Sequence, residues 1–178
     1  MLESLISFTM ASILLAFSPG PDNLYVITQS LANGTKSGIA TTLGLVSGCI
    51  VHTTLLAFGV SAIISASYTI FYILKVIGAL YLIYLAYQVL STETSLNFNA
   101  NVTKKSTAEL FKQGVLMNLM NPKILIFFLA FFPGFLWDPT ENIIRQFYIL
   151  GIVFMLISFI IFSFLAFSHA ASVILYFG

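Results

Sequence analysis

Two polar stretches interrupt otherwise apolar sequence, and each carries residue types that can hold or move charge. The first is Ser18-Pro19-Gly20-Pro21-Asp22-Asn23, within a largely apolar run from Leu5 to Val26. Two prolines around a glycine cannot continue an ordinary helix, because each proline lacks a backbone donor and its ring clashes with the preceding turn. Backbone groups freed inside a membrane are tolerated only where protein or a water-filled cavity satisfies them. This break is therefore expected to line a cavity, with Asp22 and Asn23 starting a second half-helix near its positive end. A proline kink with a snorkelling aspartate is the plainer alternative. The second stretch is Asn118-Leu119-Met120-Asn121-Pro122-Lys123, near the middle of the run from Phe111 to Leu136. Pro122 interrupts that helix for the same reason. A lysine at mid-span is costly unless it faces an interior cavity or a partner, which makes Lys123 a functional candidate. Asp22 is the one acidic residue in any span, so the two are expected to lie close together, either as a working pair or as a structural buried ion pair.

The elements that carry these residues follow from composition. Of 178 residues, 59% are hydrophobic and 7% charged, whereas a soluble domain carries about 25% charged residues. No charge lies between Lys36 and Lys75, or after Arg145. Windows of about 20 apolar residues place membrane spans at roughly 5–31, 39–64, 67–90, 111–136 and 146–175. The first span is not a cleavable leader, since Glu3 stands where a basic cluster would and the apolar stretch continues past the Pro-Gly-Pro interruption to Leu31. The expected fold is an all-α polytopic membrane helical bundle, one transmembrane domain over 1–178, with helices 1 and 4 broken. Residues 91–110 are the only long polar stretch and look like a linker between two repeats, about 1–90 and 111–178; interrupted spans at corresponding positions in two halves point to an inverted-repeat transporter on a 3+3 plan. At the end of the linker, Ser106 and Glu109 have the spacing of a capping box.

Basic residues set orientation. Lys36, Lys104, Lys105 and Lys112 flank one side of an alternating path and Arg145 alone the other. Loops 32–38 and 91–110 are thus expected in the cytoplasm and the N-terminus outside. Lys75, near the end of span 3, is within reach of the interface. Tyr84 and Tyr87 fit an aromatic belt, and the 18 phenylalanines are lipid-facing or packing residues.

Gly34 with Gly38 and Gly44 with Gly48 form GxxxG spacings, which let helices approach closely. His52 follows Gly44 and Gly48 at spacing four, so it shares their face, as a proton relay, a substrate contact or a packing histidine. His169 is a weaker candidate. Cys49 is the single cysteine, which excludes an internal disulfide. No CxxC, HExxH or acidic cluster suggests a metal, and no cofactor is implied. A net charge of +1 gives no footprint for nucleic acid.

The stretches SPGPDNLYVITQSLANGTKSGIATTLGLVSGCIVH, KVIGALYLIYLAYQVL and FKQGVLMNLMNPKILIFFLAFFPGF resemble, in order and spacing, the LysE/RhtB amino-acid exporter family. The resemblance runs over about the first 136 residues. It implies a bacterial inner-membrane exporter of amino acids or related small metabolites, driven by the proton gradient. On that resemblance the family's first motif falls on Pro19, Gly20, Pro21 and Asp22. Its glycines fall on Gly34, Gly38, Gly44 and Gly48, its span-3 element on Gly78 and Tyr81, and its span-4 element on Asn121, Pro122 and Lys123. Members have six spans where five are counted here, so the sequence is expected to be a natural truncation or a fragment lacking the sixth.

The mechanism implied is alternating access of two repeats around a midplane site. Pro21–Asn23 would offer N–H groups to a substrate carboxylate, Lys123 would hold that carboxylate or neutralise Asp22, and Asp22 would bind and release protons. Asn118 and Asn121 belong to the same polar pathway. The partners expected are therefore an amino acid, protons and the lipid bilayer, with a homodimer left open. The rivals are a membrane redox carrier, for which one cysteine is too few, and an inactive relative with a structural or assembly role.

Overall fold

The computed structural model describes residues 1–60, 104–138 and 140–177, together with individual positions from 67 to 87. Lys75, Gly78, Tyr81, residues 88–103 and the side chain of His169 lie outside the described residues. The described elements are α1 (Leu2–Phe17), α2 (Pro21–Asn33), α3 (Thr35–Leu55), α4 (Thr107–Met120), α5 (Pro122–Ile126) and α6 (Ile143–Phe177). A wider π turn, Leu56–Val60, extends α3. A second π turn, Phe127–Phe131, and a tight 3-10 turn, Phe132–Phe135, extend α5. No strand occurs among the described residues.

The segment Thr35–Val60, α3 with its π turn, and the segment Ile143–Ser168 of α6 are each long and apolar enough to cross a membrane. Among the described residues two bent pairs bring the candidate spans to as many as four: α1 with α2, inclined at 58°, and α4 with the stretch from Pro122 to Phe135, inclined at 52°. The chain is a helical membrane protein whose first and fourth expected spans are both broken at proline.

Local chemistry sets each break. Ser18, before Pro19, takes an extended ψ of 123°, as a residue preceding proline must, and α1 stops there. Gly20 is extended, and Pro21 occupies the first helical position of α2, where its missing N–H costs nothing. Asn121, before Pro122, is extended in the same way, with φ −75° and ψ 109°. Its Oδ1 accepts the Lys123 N–H at 3.0 Å and so caps α5. The expected capping box starts α4. Ser106 Oγ accepts from the Glu109 N–H at 3.3 Å, and Glu109 Oε2 accepts from the Ser106 N–H at 2.8 Å.

Gly34 corrects the reading of the first GxxxG pair. A Cβ there would meet nothing within 4 Å, but its φ is +82°, a conformation that suits glycine and lets α2 stop and α3 restart one residue later. Among the described residues Gly34 acts as a joint and packs against no other helix. Gly44 does pack: a Cβ on it would land on the Phe111 carbonyl oxygen of α4, and one on Gly114 would meet the Thr41 carbonyl oxygen of α3. These two helices therefore cross backbone to backbone. Gly48 leaves room for the Asn118 side chain, and Gly38 for Ser30.

The interior holds two apolar clusters separated along the bundle. One gathers Phe8, Leu56, Phe127, Phe128, Phe132 and Phe154 at the end where α1 begins. Its rings interlock, Phe128 stacking on Phe132 at 4.1 Å and Phe8 meeting Phe132 edge-on at 4.8 Å. The other gathers Ala16, Val26, Leu45, Ile161, Phe162 and Ala166 toward the opposite end. Buried polar residues lie between them.

The turn into α6 is built around a glutamine that composition gave no reason to notice. Gln146 is 2% exposed. Its Oε1 accepts the Trp137 and Asp138 N–H groups at 2.9 and 3.2 Å, while its Nε2 donates to the Asp138 and Glu141 carbonyls at 2.6 and 2.7 Å. Asp138 in turn accepts from the Thr140 hydroxyl and from the Thr140 and Glu141 N–H groups, which hold its carboxyl below the usual range. Because that pKa is depressed on folding, this local contribution is present above the unfolded carboxylate pKa and fades as pH falls through the folded one. Gln146→Leu strands two backbone donors and two acceptors, so it is expected to destabilise the protein by about 1–3 kcal/mol. Thermal unfolding in detergent measures it, and an unchanged midpoint contradicts it.

Candidate functional site

The two proline breaks meet. Asn121 Nδ2 donates to Asp22 Oδ2 at 2.7 Å across 99 residues of sequence, and Lys123 Nζ donates to the Ser18 carbonyl oxygen at 2.7 Å across 105. Each half thus satisfies what the other half's break exposes. Asn23 completes the first break, since its Nδ2 donates to the Ala16 carbonyl oxygen at 2.8 Å, one of the acceptors left at the end of α1. Asp22, Asn23, Asn118 and Asn121 are all at most 7% exposed.

Asp22 and Lys123 lie at one cavity without forming a direct ion pair: no carboxylate oxygen of Asp22 is within 4 Å of an ammonium among the described residues. Asn121 takes one Asp22 oxygen, and the other, Oδ1, is buried with no hydrogen-bond partner among the described residues. A buried carboxylate oxygen left unpaired is costly and is retained where something else comes to meet it. The cavity it shares is also lined by Asn23, Cys49, Asn118 and Lys123 on its polar side and by Leu45, Val46, Phe154, Ser158 and Phe162 elsewhere. Its free space is about 10 Å³, room for one water and too little for an amino acid. The site touches both apolar clusters, Ile124 and Phe154 of one and Leu45 and Phe162 of the other.

A wall of this site comes from α3. His52 Nε2 is 3.2 Å from the Asn118 carbonyl oxygen, and since a carbonyl only accepts, Nε2 carries the proton. The ring also lies against Phe128, 5.4 Å between centroids. Cys49 is buried beside the Asn118 amide, with Asn118 Nδ2 donating to its sulfur at 3.5 Å.

Residues 13–175 match the LysE type translocator family, nearly the whole chain. This chain belongs to that family. Among curated proteins it is 31% identical to an uncharacterized membrane protein of Vibrio cholerae, over 88% of this chain and 76% of that one. It is 31% identical to a homoserine/homoserine lactone efflux protein of Salmonella typhimurium, over 87% of this chain and 75% of the relative. A leucine efflux protein of Salmonella choleraesuis is 31% identical over 92% and 78%. No solved structure matches.

In this LysE-type translocator the residues singled out from sequence differ in their place relative to the cavity. Asp22, Asn23, Asn118 and Lys123 line the cavity. Gly20 and Asn121 stand directly behind it: a Cβ on Gly20 would lie 3.5 Å from Lys123 Nζ, and Asn121 holds Asp22. Pro19, Pro21 and Pro122 are exposed and outside the cavity; their part is to end helices. His52 also lines none of it and reaches the site only through Asn118. Gly78 lies outside the described residues. The sequence reading did not find Gly114, Gln146 or Ser158. Gly114 was legible in principle, because it sits in the same apolar run as the NPK element at a spacing of four from Asn118.

Proposed function

We propose that this LysE-type translocator exports amino acids or related small metabolites across the bacterial inner membrane, exchanging them for protons by alternating access of two inverted halves. The observation that carries this reading is the Asn121–Asp22 hydrogen bond with Asp22 Oδ1 left unpaired in the same cavity as Lys123. One carboxylate and one ammonium on a shared cavity complement the two charged groups of an amino acid. The substrate ammonium meets Asp22 Oδ1. Its carboxylate meets Lys123 Nζ and the N–H groups at the start of α2, where the helix dipole is positive.

A proton and a substrate ammonium compete for the same carboxylate oxygen, so Asp22 carries one or the other. That exclusivity is what antiport requires. Moving the site between the two membrane faces requires opening one apolar cluster at a time. The aromatic cluster around Phe128 and Phe132 closes one end, and the cluster around Leu45 and Phe162 closes the other. The 3+3 plan accounts for two broken spans whose breaks touch.

The printed names of the relatives, efflux proteins for homoserine, its lactone and leucine, support an amino-acid substrate. For orientation, Lys36, Lys104, Lys105 and Lys112 against Arg145 favour a cytoplasmic 91–110 loop and an N-terminus outside. The test is efflux of a panel of labelled amino acids from loaded cells producing the full chain. Label should leave faster than from cells without the protein, and faster still when the outside is acidified. Background efflux of every amino acid from a well-inserted chain overturns the reading.

A further inference from the structure

The face of α6 toward the cavity reads Phe154, Ser158, Phe162, three positions at spacing four and therefore on one stripe of the helix. Ser158 is the only hydroxyl lining the cavity among the described residues and is 3% exposed. Hydroxyls inside helices commonly turn back onto the carbonyl four residues earlier. In this molecule Ser30, Ser37, Thr41, Ser47 and Thr54 all do so, at 2.7–3.0 Å. Ser158 does not, and its Oγ bonds to no described residue. Ser12, Tyr25, Thr42, Thr53 and Ser163 also have hydroxyls without partners among the described residues, but none of them lines the cavity. The one hydroxyl free to address the contents of the site is thus set between two phenylalanines, on the element that faces the charged breaks.

We infer that Ser158 reads the side chain of the substrate. The inference rests on the amino-acid reading above and extends it: with the two charged groups of the amino acid held by Asp22 and Lys123, its side chain lies along the Phe154–Phe162 stripe. That stripe is apolar and uncharged apart from one hydroxyl. It takes a neutral side chain, rejects a charged one for lack of a counter-charge, and prefers one with a hydroxyl that can pair with Ser158 Oγ over an isostere without it.

Threonine and valine are the pair to compare, since they differ by a hydroxyl in place of a methyl. Full-length protein in proteoliposomes, with an imposed proton gradient, should move threonine in preference to valine by about three- to tenfold, the yield of one net hydrogen bond. Ser158→Ala should bring the ratio close to unity while valine transport persists, and Ser158→Thr, which keeps a hydroxyl, should retain it. Ser158→Cys, similar in size with a weak donor, repeats the comparison if the alanine variant inserts poorly. A wild type that transports both without preference overturns the inference, and so does a ratio unmoved by Ser158→Ala. Either result leaves the exporter reading standing. A wild type that moves no amino acid overturns the exporter reading itself.

Discussion

Asp22→Asn is expected to lower proton-coupled efflux to the level of membranes without the protein, while the helices remain packed. The geometry makes this substitution unusually informative. Asp22 Oδ2 accepts from Asn121 Nδ2, and Oδ1 has no partner among the described residues. An asparagine keeps the bond to Asn121 by presenting its carbonyl oxygen there. Its NH2 group then occupies the place of Oδ1. What was an acceptor becomes a donor, unable to bind a proton or to receive a substrate ammonium. Loss of one partner of a buried charge pair costs roughly 2–5 kcal/mol, or about thirtyfold and more in affinity. Efflux at matched membrane levels checks the function, and thermal unfolding in detergent checks the packing. Normal efflux from this variant is incompatible with the proposed role of Asp22.

Gly44→Ala is expected to have the largest effect on stability. Its Cβ would land on the Phe111 carbonyl oxygen, and backbone on a packed helix cannot step aside as a side-chain tip can. The helices α3 and α4 must then separate. Overpacking of this kind costs about 1–3 kcal/mol, and the opposed Gly114 at the same crossing puts this site at the upper end. The consequence reaches the candidate site because α4 delivers Asn118 to His52 and leads directly into Asn121, which holds Asp22. A lower unfolding temperature with reduced substrate binding is the expected result. Gly59→Ala is the control, since a Cβ there meets no described atom within 4 Å. Equal behaviour of the two variants would remove the case for a backbone contact at Gly44.

The broken spans were legible in the sequence because proline acts locally. Its missing donor and fixed ring end a helix whatever surrounds it, so the breaks at Pro19–Pro21 and Pro122 were readable from residue order. The Ser106–Glu109 capping box was readable for the same reason, since its bonds span three residues. Gly34 shows the limit of that logic. Its spacing from Gly38 matched a packing motif, yet what distinguishes it is a φ of +82° at a joint. Spacing alone does not separate a glycine needed for its backbone from one needed for its small size.

Apolar content and residue order by themselves determined that this chain lies in a membrane, where its helices break, and which two charged residues stand at mid-span. These are properties of single segments, set by transfer of side chains from water and by backbone sterics. Only the tertiary structure decided how the breaks answer one another. It put Asn121 rather than Lys123 on Asp22, gave Lys123 to the Ser18 carbonyl, left Asp22 Oδ1 unpaired, and turned Ser158 toward the same cavity. Partners about a hundred residues apart are selected by how three helices cross, and that crossing depends on contacts such as Gly44 against Phe111 which no local rule contains.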